Sequence, residues 1–550
     1  MIAIIDFHGQ YVHVISNRLA ELGVENRSIR TFEELKNLDN LKGIILSGGP
    51  YSVYDKNAKL IDKRIFDLGV PILGICYGHQ LIAYLLGGEV KQGTAEFGFA
   101  LFRPRKDPLF DGLSNEEIVW MSHRDEVFSV PNATILGSTD SCKIAAFKLE
   151  KDIYGVQFHP EVSHTVNGDQ IFKNFAFKIC GEHKKPWNVK KYLDEAITAL
   201  QSTVTDGTAI LGLSGGVDSA TCAALAKKAG IDVHVVYVDH GFMRYEDEWI
   251  KKTNLFDVNY IDASDVFFEA VKNVLDPDER RRKIGQLFVE YFEKEAKRAN
   301  AKYLIQGTIA PDVIESTRGD DVSGSGFIKL HHNVGGLPEK LNLKIIEPLR
   351  PLFKYQVRIL ARELGLPSHV VNRQPFPGPG LAVRIVGKIT KTRLKVLKEI
   401  TNIVTLVLSK YSYSQYFASL IENKGRKTSK GYIFKAKTIG VKGDSRVFGN
   451  ILSIERPNAV SYFDLLKLQS KLTSKYSDVT RVVIRVAGTY GRGDAIIIRA
   501  VNTKDFMTAI PADVPWFELE KIAKFALSYD SINFVGYEIT TKPPSTIELI

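Results

Sequence analysis

Cys76 is the first residue of the sequence whose surroundings suggest chemistry. It stands in VPILGICYGHQLIAYLLGG, where an apolar strand meets a helix through Gly74, the cysteine and Gly78. Such a turn exposes a nucleophile at a sheet edge, and the helix N-terminus lowers a thiol pKa and favours the thiolate that attacks carbonyl carbons. Because a lone cysteine among apolar residues is more often a small core side chain, a catalytic role requires a base.

His159 is the candidate base. It ends a predicted strand in YGVQFHPEV, and Glu161 follows two residues later. This spacing places both side chains on one face of an extended segment, so the glutamate can orient the imidazole. The cysteine turn and the strand-end HPE, found in one α/β segment, predict a catalytic triad of Cys76, His159 and Glu161.

With SGGP at 47–50 and GICYGHQ at 74–80, these residues resemble the class I glutamine amidotransferases over residues 1–183. The resemblance implies that Cys76 attacks the side-chain amide of glutamine and releases ammonia. A thioester forms and is hydrolysed by water, while His159 shuttles the proton.

The same resemblance implies an oxyanion site and a glutamine site. Backbone N–H groups near Gly49 and Tyr77 would stabilise the tetrahedral oxyanion, because backbone donors need no reorganisation. Gln80, which closes the cysteine motif, and Ser122 and His123 of SHRDEV would help to hold glutamine.

A second chemical motif follows the predicted strand TAILGL. Residues 213–219 form LSGGVDS and open a helix, so successive N–H groups and the helix dipole face one anion-binding concavity. No GKS or GKT follows the glycines, which argues against a Walker loop and γ-phosphate transfer. An ordinary glycine-rich turn would explain the two glycines alone, but SGGxDS after a strand predicts a phosphate-binding loop.

SGGVDS resembles the loop of the ATP pyrophosphatases, a family that activates an oxygen by adenylation and releases pyrophosphate. The resemblance implies that the loop surrounds the pyrophosphate, and that the end of the next predicted strand, VYVDHG, lines the nucleoside side. The ATP-binding residues assigned in this way are Ser214, Gly215, Gly216, Val217, Asp218, Ser219, Val238 and Asp239.

Further candidate residues lie between 306 and 337. Asp312 and Glu315 in QGTIAPDVIES are one helical step apart, so both can hold a divalent cation, although alone they would be a solvated helix face. We interpret IKLHHNVGG as a mobile lid whose Lys329 meets ATP phosphates on closure. Adjacent His331 and His332 would point to opposite faces of a strand, so they do not predict zinc.

QGTIAPDVIES, IKLHHNVGGLP and EPLRPLFK together resemble the family of glutamine-hydrolysing GMP synthetases. The C-terminal TTKPPSTIELI is similar to the family's xanthosine monophosphate (XMP) site, KPPxTIE, and Lys542 and Glu548 match it. Arg281 in DPDERRRKIG matches a second phosphate contact; without the resemblance, these residues would be surface charges. The ending departs from the family, where an aromatic residue and Glu usually follow TIE, and leaves the packing of Leu549 and Ile550 open.

Over the whole chain the resemblance implies one reaction. XMP would be adenylated at its purine O2 by MgATP, and ammonia from glutamine would displace AMP to give GMP. The implied cofactor is Mg²⁺ bound with ATP, without an organic prosthetic group, and the implied partners are ATP, glutamine and XMP.

The elements that would position these residues are those of an α/β protein. IAIID, GIILSGGP and VPILGIC alternate with amphipathic stretches, which is typical of a parallel sheet, and TAILGL, VHVVYVD and KYLIQG repeat the pattern. The polar GEHKKPW and the proline-rich PFPGPGL mark boundaries. We predict two parallel-sheet α/β domains, at 1–183 and 188–385, followed by an α+β domain at 386–550.

The third domain contains a possible internal duplication. Gly443-Asp444, a strand-like run, a helix and TRVVIRV recur, at a spacing of about fifty residues, as Gly493-Asp494, a strand, a helix and NFVGYEI. Two copies are too few for a solenoid, which favours a paired βαβ-like fold.

The two copies differ at one position that matters for binding. Aligning Tyr476 with Tyr529 places Arg481 opposite Phe534, so only the first copy carries the arginine. The resemblance implies that an arginine here reaches the substrate phosphate. We predict that Arg481 does so within a pseudo-dimer of the two copies, and that the protein is a monomer or a homodimer.

Composition sets wider limits. The chain has 550 residues, 44% of them hydrophobic, which suggests three or four domains and excludes disordered and collagen-like proteins. No run approaches about 18 apolar residues and the start lacks a basic leader, so we expect a cytoplasmic protein with no membrane partner. The four cysteines lack CxxC spacing, which disfavours a disulfide scaffold or a zinc knuckle.

Two other functions fit part of these observations. A tRNA-modifying enzyme with a pyrophosphatase loop would suit the net charge of +10, but nucleotides suit it equally well. Because the chain shows no added RNA-binding module with interleaved aromatic residues, we expect no nucleic-acid partner. A non-catalytic nucleotide-binding regulator would have no need of the intact triad and SGGVDS.

Overall fold

A computed structural model describes residues 1–9, 11–185, 187–244, 246–310, 312, 343–442, 445–458, 461–476, 478–503 and 508–549. They form two compact units. Unit 1 comprises Met1–Trp187, Val460–Lys471 and Thr503–Ile510, and unit 2 comprises Asn188–Ala459, Leu472–Asn502 and Pro511–Ile550. Among the described residues, no helix combines the length and the apolar character needed to cross a membrane.

Unit 1 is built on a nine-stranded sheet. Its strands are β1 (Ile2–Ile5), β2 (Asn26–Ile29), β3 (Gly43–Leu46), β4 (Ile72–Ile75), β5 (Glu89–Pro104), β6 (Glu117–Ser129), β7 (Thr134–Ser138), β8 (Ala146–Leu149) and β9 (Ile153–Val156). They lie in the order β2-β1-β3-β4-β9-β8-β7-β5-β6. The first five in this order pair in parallel, which confirms the predicted parallel sheet.

Helices cover both faces of this sheet. They are α1 (Val12–Glu21), α2 (Phe32–Lys36), α3 (Tyr77–Leu85) and α4 (Gly168–Lys173), with helical turns at Lys63–Asp67, Pro108–Phe110 and Asn174–Ile179. Ile2 and Ile4 belong to one hydrophobic core, and Ala3 and Ile5 belong to another. Since successive side chains of a strand point to opposite faces, the central strands are apolar without alternation.

The first part of unit 2 is a five-stranded parallel sheet. Its strands are β10 (Thr208–Gly212), β11 (Val233–Asp239), β12 (Val258–Asp262), β13 (Ala301–Ile305) and β14 (Lys344–Ile346), in the order β12-β11-β10-β13-β14. The order reverses at β10, and ligands of open α/β sheets bind at the carboxyl end of the strands where this happens. Its helices are α5 (Val189–Thr203), α6 (Val217–Lys228), α7 (Glu246–Lys252), α8 (Ser264–Val271), α9 (Pro277–Arg298), α10 (Lys354–Glu363) and α11 (Ser368–Val371), followed by a helical turn at Gly380–Val383.

The remaining elements form a mostly antiparallel sheet with helices, which confirms the predicted α+β class. The strands are β15 (Gln415–Glu422), β16 (Gly425–Thr428), β17 (Gly431–Lys442), β18 (Ser445–Ile454), β19 (Val479–Gly488), β20 (Asp494–Asn502), β21 (Ile510–Pro511) and β22 (Ile532–Glu538). The helices are α12 (Lys391–Leu408), α13 (Tyr462–Lys475) and α14 (Trp516–Ala526).

Two βαβ-like units can be recognised in this sheet. β18 pairs in parallel with β19, β20 pairs in parallel with β22, and β19 and β22 are antiparallel neighbours. The pairing is compatible with the predicted duplication, which stays a prediction. Gly443 and Asp444, where the first predicted copy begins, lie outside the described residues.

Candidate active sites

Cys76 lies at the predicted turn between β4 and α3. Its φ of 53° and ψ of −102° are rare for a residue with a side chain, and such strain is concentrated at functional sites. Its N–H donates to the carbonyl of Val156 (2.9 Å), at the end of the neighbouring strand β9. The Sγ atom lies 3.6 Å from the carbonyl oxygen of Ser122 and 3.8 Å from Nε2 of Gln157.

His159 and Glu161 form the predicted pair, with Nδ1 of the imidazole 2.7 Å from Oε1 of the carboxylate. The prediction that His159 ends a strand is wrong, because β9 ends at Val156 and the HPE residues lie in an irregular loop. Both side chains are buried. Burial by itself lowers the pKa of His159, but the Glu161 carboxylate and the Cys76 sulfur outweigh it and raise the pKa well above its ordinary value.

Residues that the sequence did not single out hold this loop in place. His159 N–H donates to the carbonyl of Trp120 (3.1 Å), and its own carbonyl accepts from Oγ1 of Thr165 (2.6 Å). The buried Arg18 donates through Nε to the carbonyl of Glu161 (3.1 Å). A loop without regular structure depends on such side-chain bonds for its position.

The glycines of SGGP lie beside the triad. A Cβ atom at Gly48 would stand 3.1 Å from Cε1 of His159 and 3.8 Å from Cβ of Cys76, so a larger residue would crowd the imidazole. A Cβ at the predicted Gly49 would instead meet Phe7 and the ring of Tyr77. Gly48 is not among the predicted site residues, although it belongs to the SGGP motif.

The residues predicted to hold glutamine differ in their contacts. Ser122 offers its carbonyl to the Cys76 thiol, as described above. Gln80 is buried and donates through Nε2 to the carbonyl of Asp125 (2.8 Å) and to Oε1 of Gln157 (3.2 Å), so it positions the residue beside the sulfur. His123 is also buried, with Nδ1 3.1 Å from the carbonyl of Asp125.

The loop that is predicted to bind phosphate connects β10 to α6. Gly215 has a φ of 75°, which a residue with a side chain rarely adopts. Gly216 N–H lies 3.3 Å from Oγ of Ser214, and the hydroxyls of Ser214 and Ser219 are 3.0 Å apart. Every residue of the loop except Gly215 lines a cavity of about 410 Å³, which Val238 of β11 lines as well.

Asp239, which is predicted to bind ATP, ends β11 between Val238 and His240. Those two residues line the cavity, and Asp239 itself is not part of the lining. Its carboxylate accepts hydrogen bonds from Gly241 N–H (2.8 Å) and from the hydroxyl of Tyr260. The aspartate therefore stabilises the turn after β11.

Two basic residues at the cavity are not among the residues predicted from the sequence. Lys354, the first residue of α10, places Nζ 2.6 Å from Oδ2 of Asp218. Arg373 donates through Nη1 to the carbonyl of Gly215. Both line the cavity. Lys354 is the last residue of EPLRPLFK, and Arg373 lies two residues before PFPGPGL.

Of the predicted metal and lid residues, only Asp312 belongs to the described part of the chain. Glu315, Lys329, His331 and His332 lie outside the described residues. Asp312 is half-buried, and its Oδ2 accepts from Ile309 N–H (3.0 Å). Within the described ranges, no cluster of three or more His, Cys, Asp or Glu residues could hold a metal ion by itself. Oδ1 of Asp218 is buried and accepts no hydrogen bond from described residues, which suits a cation that arrives with a nucleotide.

The C-terminal segment is fixed by buried arginines. Glu548 forms a two-point ion pair with Arg384, whose Nη2 and Nε lie 2.7 and 2.8 Å from the carboxylate oxygens. The Arg384 guanidinium also lies 4.8 Å from the centre of the Phe376 ring, and Phe376 lines the same cavity as the loop at 213–219. Lys542 and Arg281 are both half-buried.

Arg481 has no solvent exposure. It donates to Oε1 of Glu538 (2.7 Å), to Oγ1 of Thr546 (2.7 Å) and to the carbonyl of Glu548 (2.5 Å). Burial lowers its pKa to about 10, with the neighbouring Glu538 acting in the opposite direction. Direct contact with a phosphate would require these bonds to be exchanged, so the structure places Arg481 where it holds the C-terminal segment.

Comparison with known proteins connects these sites. The family model "Glutamine amidotransferase class-I" matches residues 3–179, "NAD synthase" matches 189–382, and "GMP synthase C terminal domain" matches 477–549. The GMP synthase [glutamine-hydrolyzing] of Caldicellulosiruptor saccharolyticus is 41% identical over 567 aligned residues, which cover 100% of this chain and 99% of the relative. The enzymes of the same name from Aquifex aeolicus and Caldanaerobacter subterraneus are 38% and 39% identical, over 100% of this chain and 99% and 98% of theirs.

This chain belongs to the glutamine-hydrolysing GMP synthase family. In this member of the family, the amidotransferase match contains Cys76 and His159, and the second match contains the loop at 213–219. The GMP synthase C-terminal match contains Lys542 and begins just before β19, so it covers the second of the two βαβ-like units and only the last strand of the first.

Proposed function

We propose that this chain makes GMP from XMP, with MgATP and glutamine as its other substrates. XMP O2 attacks the α-phosphorus of ATP and releases pyrophosphate, and ammonia then attacks the purine C2 and displaces AMP. The observation that supports this most directly is the presence, in one chain of this family, of a Cys-His-Glu cluster in unit 1 and a pyrophosphate-type loop in unit 2.

The ammonia would come from glutamine at Cys76. The thiolate attacks the side-chain amide carbon, and His159 donates its proton to the departing ammonia as the C–N bond breaks. The thioester is then hydrolysed by a water from which His159 accepts a proton, which releases glutamate. Glu161 supports both transfers because its carboxylate stabilises the protonated imidazole. Backbone groups near Gly49 and Tyr77 are proposed as oxyanion donors.

Adenylation would take place at the cavity in unit 2. Mg²⁺ supplies charge neutralisation for the ATP phosphates, and Asp218 and Asp312 are the carboxylates proposed to hold it, with Glu315 as a further candidate. Ser214 to Ser219 would donate to pyrophosphate oxygens. Lys354 and Arg373 line the same cavity and are the proposed cationic contacts of pyrophosphate.

XMP binding is proposed for the C-terminal segment. Lys542 and Arg281 would pair with the nucleotide phosphate. Arg481 and Glu548 would contribute by holding that segment, as their hydrogen bonds to Thr546 and Arg384 suggest.

We also propose that the chain divides into three domains, at 1–183, 188–385 and 386–550, and that it is a monomer or a homodimer. A cytoplasmic location is proposed because all four cysteines are unpaired thiols.

One assay tests the proposed function. The purified chain is incubated with ATP and glutamine, together with either XMP or bulk tRNA, and released pyrophosphate and GMP are measured. We expect both products with XMP and neither with tRNA. Pyrophosphate release that depends on tRNA would indicate an RNA-modifying enzyme, and ATP binding without pyrophosphate release would indicate a regulator.

A further inference from the structure

A threonine far along the chain reaches the loop that carries His159 and Glu161. The backbone N–H of Ser163 donates to Oγ1 of Thr508 at 3.0 Å, across 345 positions of sequence. Both residues are buried and both belong to unit 1. Ser163 lies two residues beyond Glu161, so this bond fixes the loop close to the triad carboxylate.

The same region of unit 1 has an aromatic layer behind the loop. The His164 ring lies 4.3 Å from the Trp120 ring and 5.6 Å from the Phe99 ring, measured between centroids. Leu466 of α13 and Ile510 of β21 are buried in one cluster with Phe99. The aromatic layer behind the loop is therefore covered by residues 461–471 and 508–510.

Three further contacts within unit 1 fix this loop. The carbonyl of Trp120 accepts from His159 N–H, and the hydroxyl of Thr165 donates to the carbonyl of His159. Arg18 donates to the carbonyl of Glu161. Those bonds hold both ends of the HPE segment, and Thr508 holds the backbone at Ser163, two residues beyond it. A shift of about 1 Å at catalytic groups is enough to slow a reaction on the order of a hundredfold, so this fourth contact matters for the rate.

We propose that Thr508 is a positioning residue for glutamine hydrolysis: through Ser163 it sets the position of Glu161 and hence of the His159 imidazole. The inference rests on the proposed glutaminase role of the triad. It predicts an effect on the rate of the chemical step rather than on glutamine binding, because the hydroxyl of Thr508 accepts from the backbone beside Glu161.

The test uses the full-length enzyme and the variants Thr508→Val, which keeps the volume and removes the acceptor, and Thr508→Ser, which keeps the acceptor. Thr401→Val serves as the matched control, since Thr401 is a buried threonine of α12 in unit 2 whose hydroxyl has no hydrogen-bond partner among described residues. Glutamate release is measured against glutamine concentration, and GMP formation is measured with ammonium salt as the nitrogen source.

For Thr508→Val we expect kcat for glutamine hydrolysis to fall about tenfold with little change in KM, recovery of most of the rate in Thr508→Ser, and wild-type GMP formation from ammonia. An unchanged kcat in Thr508→Val, or a Thr508→Ser variant as slow as Thr508→Val, would overturn the proposal. Equal loss with both nitrogen sources would also overturn it, as a folding defect. Failure of the proposed function itself would look different, because the wild-type enzyme would then not make GMP.

Discussion

The ammonium nitrogen of Lys354 lies 2.6 Å from Oδ2 of Asp218, and both residues line the cavity at the loop 213–219. Asp218 is in the first turn of α6, where the helix dipole favours anions. An incoming pyrophosphate group carries more negative charge than one carboxylate. We therefore expect Lys354 to exchange this ion pair for phosphate contacts when ATP binds.

Lys354→Met should weaken ATP binding. We expect the KM for ATP to rise about tenfold, with glutamine and with ammonia alike, because the lysine acts before either nitrogen source is used. Pyrophosphate release at varied ATP concentration measures it. Lys391→Met is the matched control, since Lys391 forms an exposed ion pair with Asp265, and that variant should behave as wild type. A wild-type KM in Lys354→Met would contradict the assignment.

Asp218→Ala should stop adenylation. The variant loses a carboxylate whose second oxygen, Oδ1, is buried beside the loop, and leaves Lys354 without its partner. GMP formation should fall at least about a hundredfold with both nitrogen sources. Asp239→Asn provides the comparison, because Asp239 lies outside the cavity lining and should reduce the rate far less. If ammonia-dependent synthesis survives in Asp218→Ala, the loop does not bind the reacting ATP.

Cys76→Ala should separate the two half-reactions. Without the nucleophile, glutamine-dependent GMP synthesis should disappear, while high ammonium salt at alkaline pH should still support synthesis because free ammonia is then abundant. GMP formation with each nitrogen source measures this. Cys142→Ala is the matched control, since Cys142 is a buried cysteine of the same unit. Equal loss with both sources would refute the role of Cys76.

Glu161→Gln should change the pH dependence of glutamine hydrolysis. The Glu161 carboxylate contributes to raising the pKa of His159, so its neutralisation should lower that pKa. His159 then loses its proton at a lower pH, and the alkaline limb of the kcat profile, which depends on the protonated imidazole, should move to lower pH. A profile of glutamate release against pH measures the shift. An unmoved alkaline limb would show that Glu161 does not control this proton.

The parts of the sites that could be predicted are those formed by residues consecutive in sequence. The turn at Cys76 and the loop at 213–219 are each specified by consecutive residues that end a strand and begin a helix, so their geometry followed from the sequence. Lys354 and Arg373 reach that loop from 136 and 158 positions away, and no periodicity marks such contacts. The strand-end assignment of His159 failed because tertiary hydrogen bonds, not pairing in the sheet, position it.

The sequence also did not predict which charged residues are buried in the core. Arg280, which the sequence shows only as part of a basic run, is fully buried and donates to four backbone carbonyls, those of Val274, Ala382, Ile385 and Gly387. Composition cannot distinguish it from the neighbouring Arg282, which is exposed. Only packing decides which arginine of a run is solvated.

Arg481→Ala should raise the KM for XMP without affecting glutamine hydrolysis. The arginine holds Thr546 and the Glu548 carbonyl, so its loss should loosen the segment proposed to bind XMP, and leaving buried groups unpaired should cost roughly 3 kcal/mol of folding free energy. Arg485→Ala is the matched control on the same strand, because its ion pair with Glu455 is at the surface and contributes little.

The oligomeric state decides whether the two βαβ-like units act as a pseudo-dimer. Arg481 of β19 would supply, within one chain, the arginine that a second subunit would otherwise supply. The enzyme should then be active as a monomer, and light scattering at the assay concentration should give the mass of one chain, 61.5 kDa. Kinetics of Arg481→Ala are run on the same samples. An enzyme that is active as a monomer supports the pseudo-dimer, and an obligate dimer would refute it, whereas the KM for XMP of Arg481→Ala tests only the segment that this arginine holds.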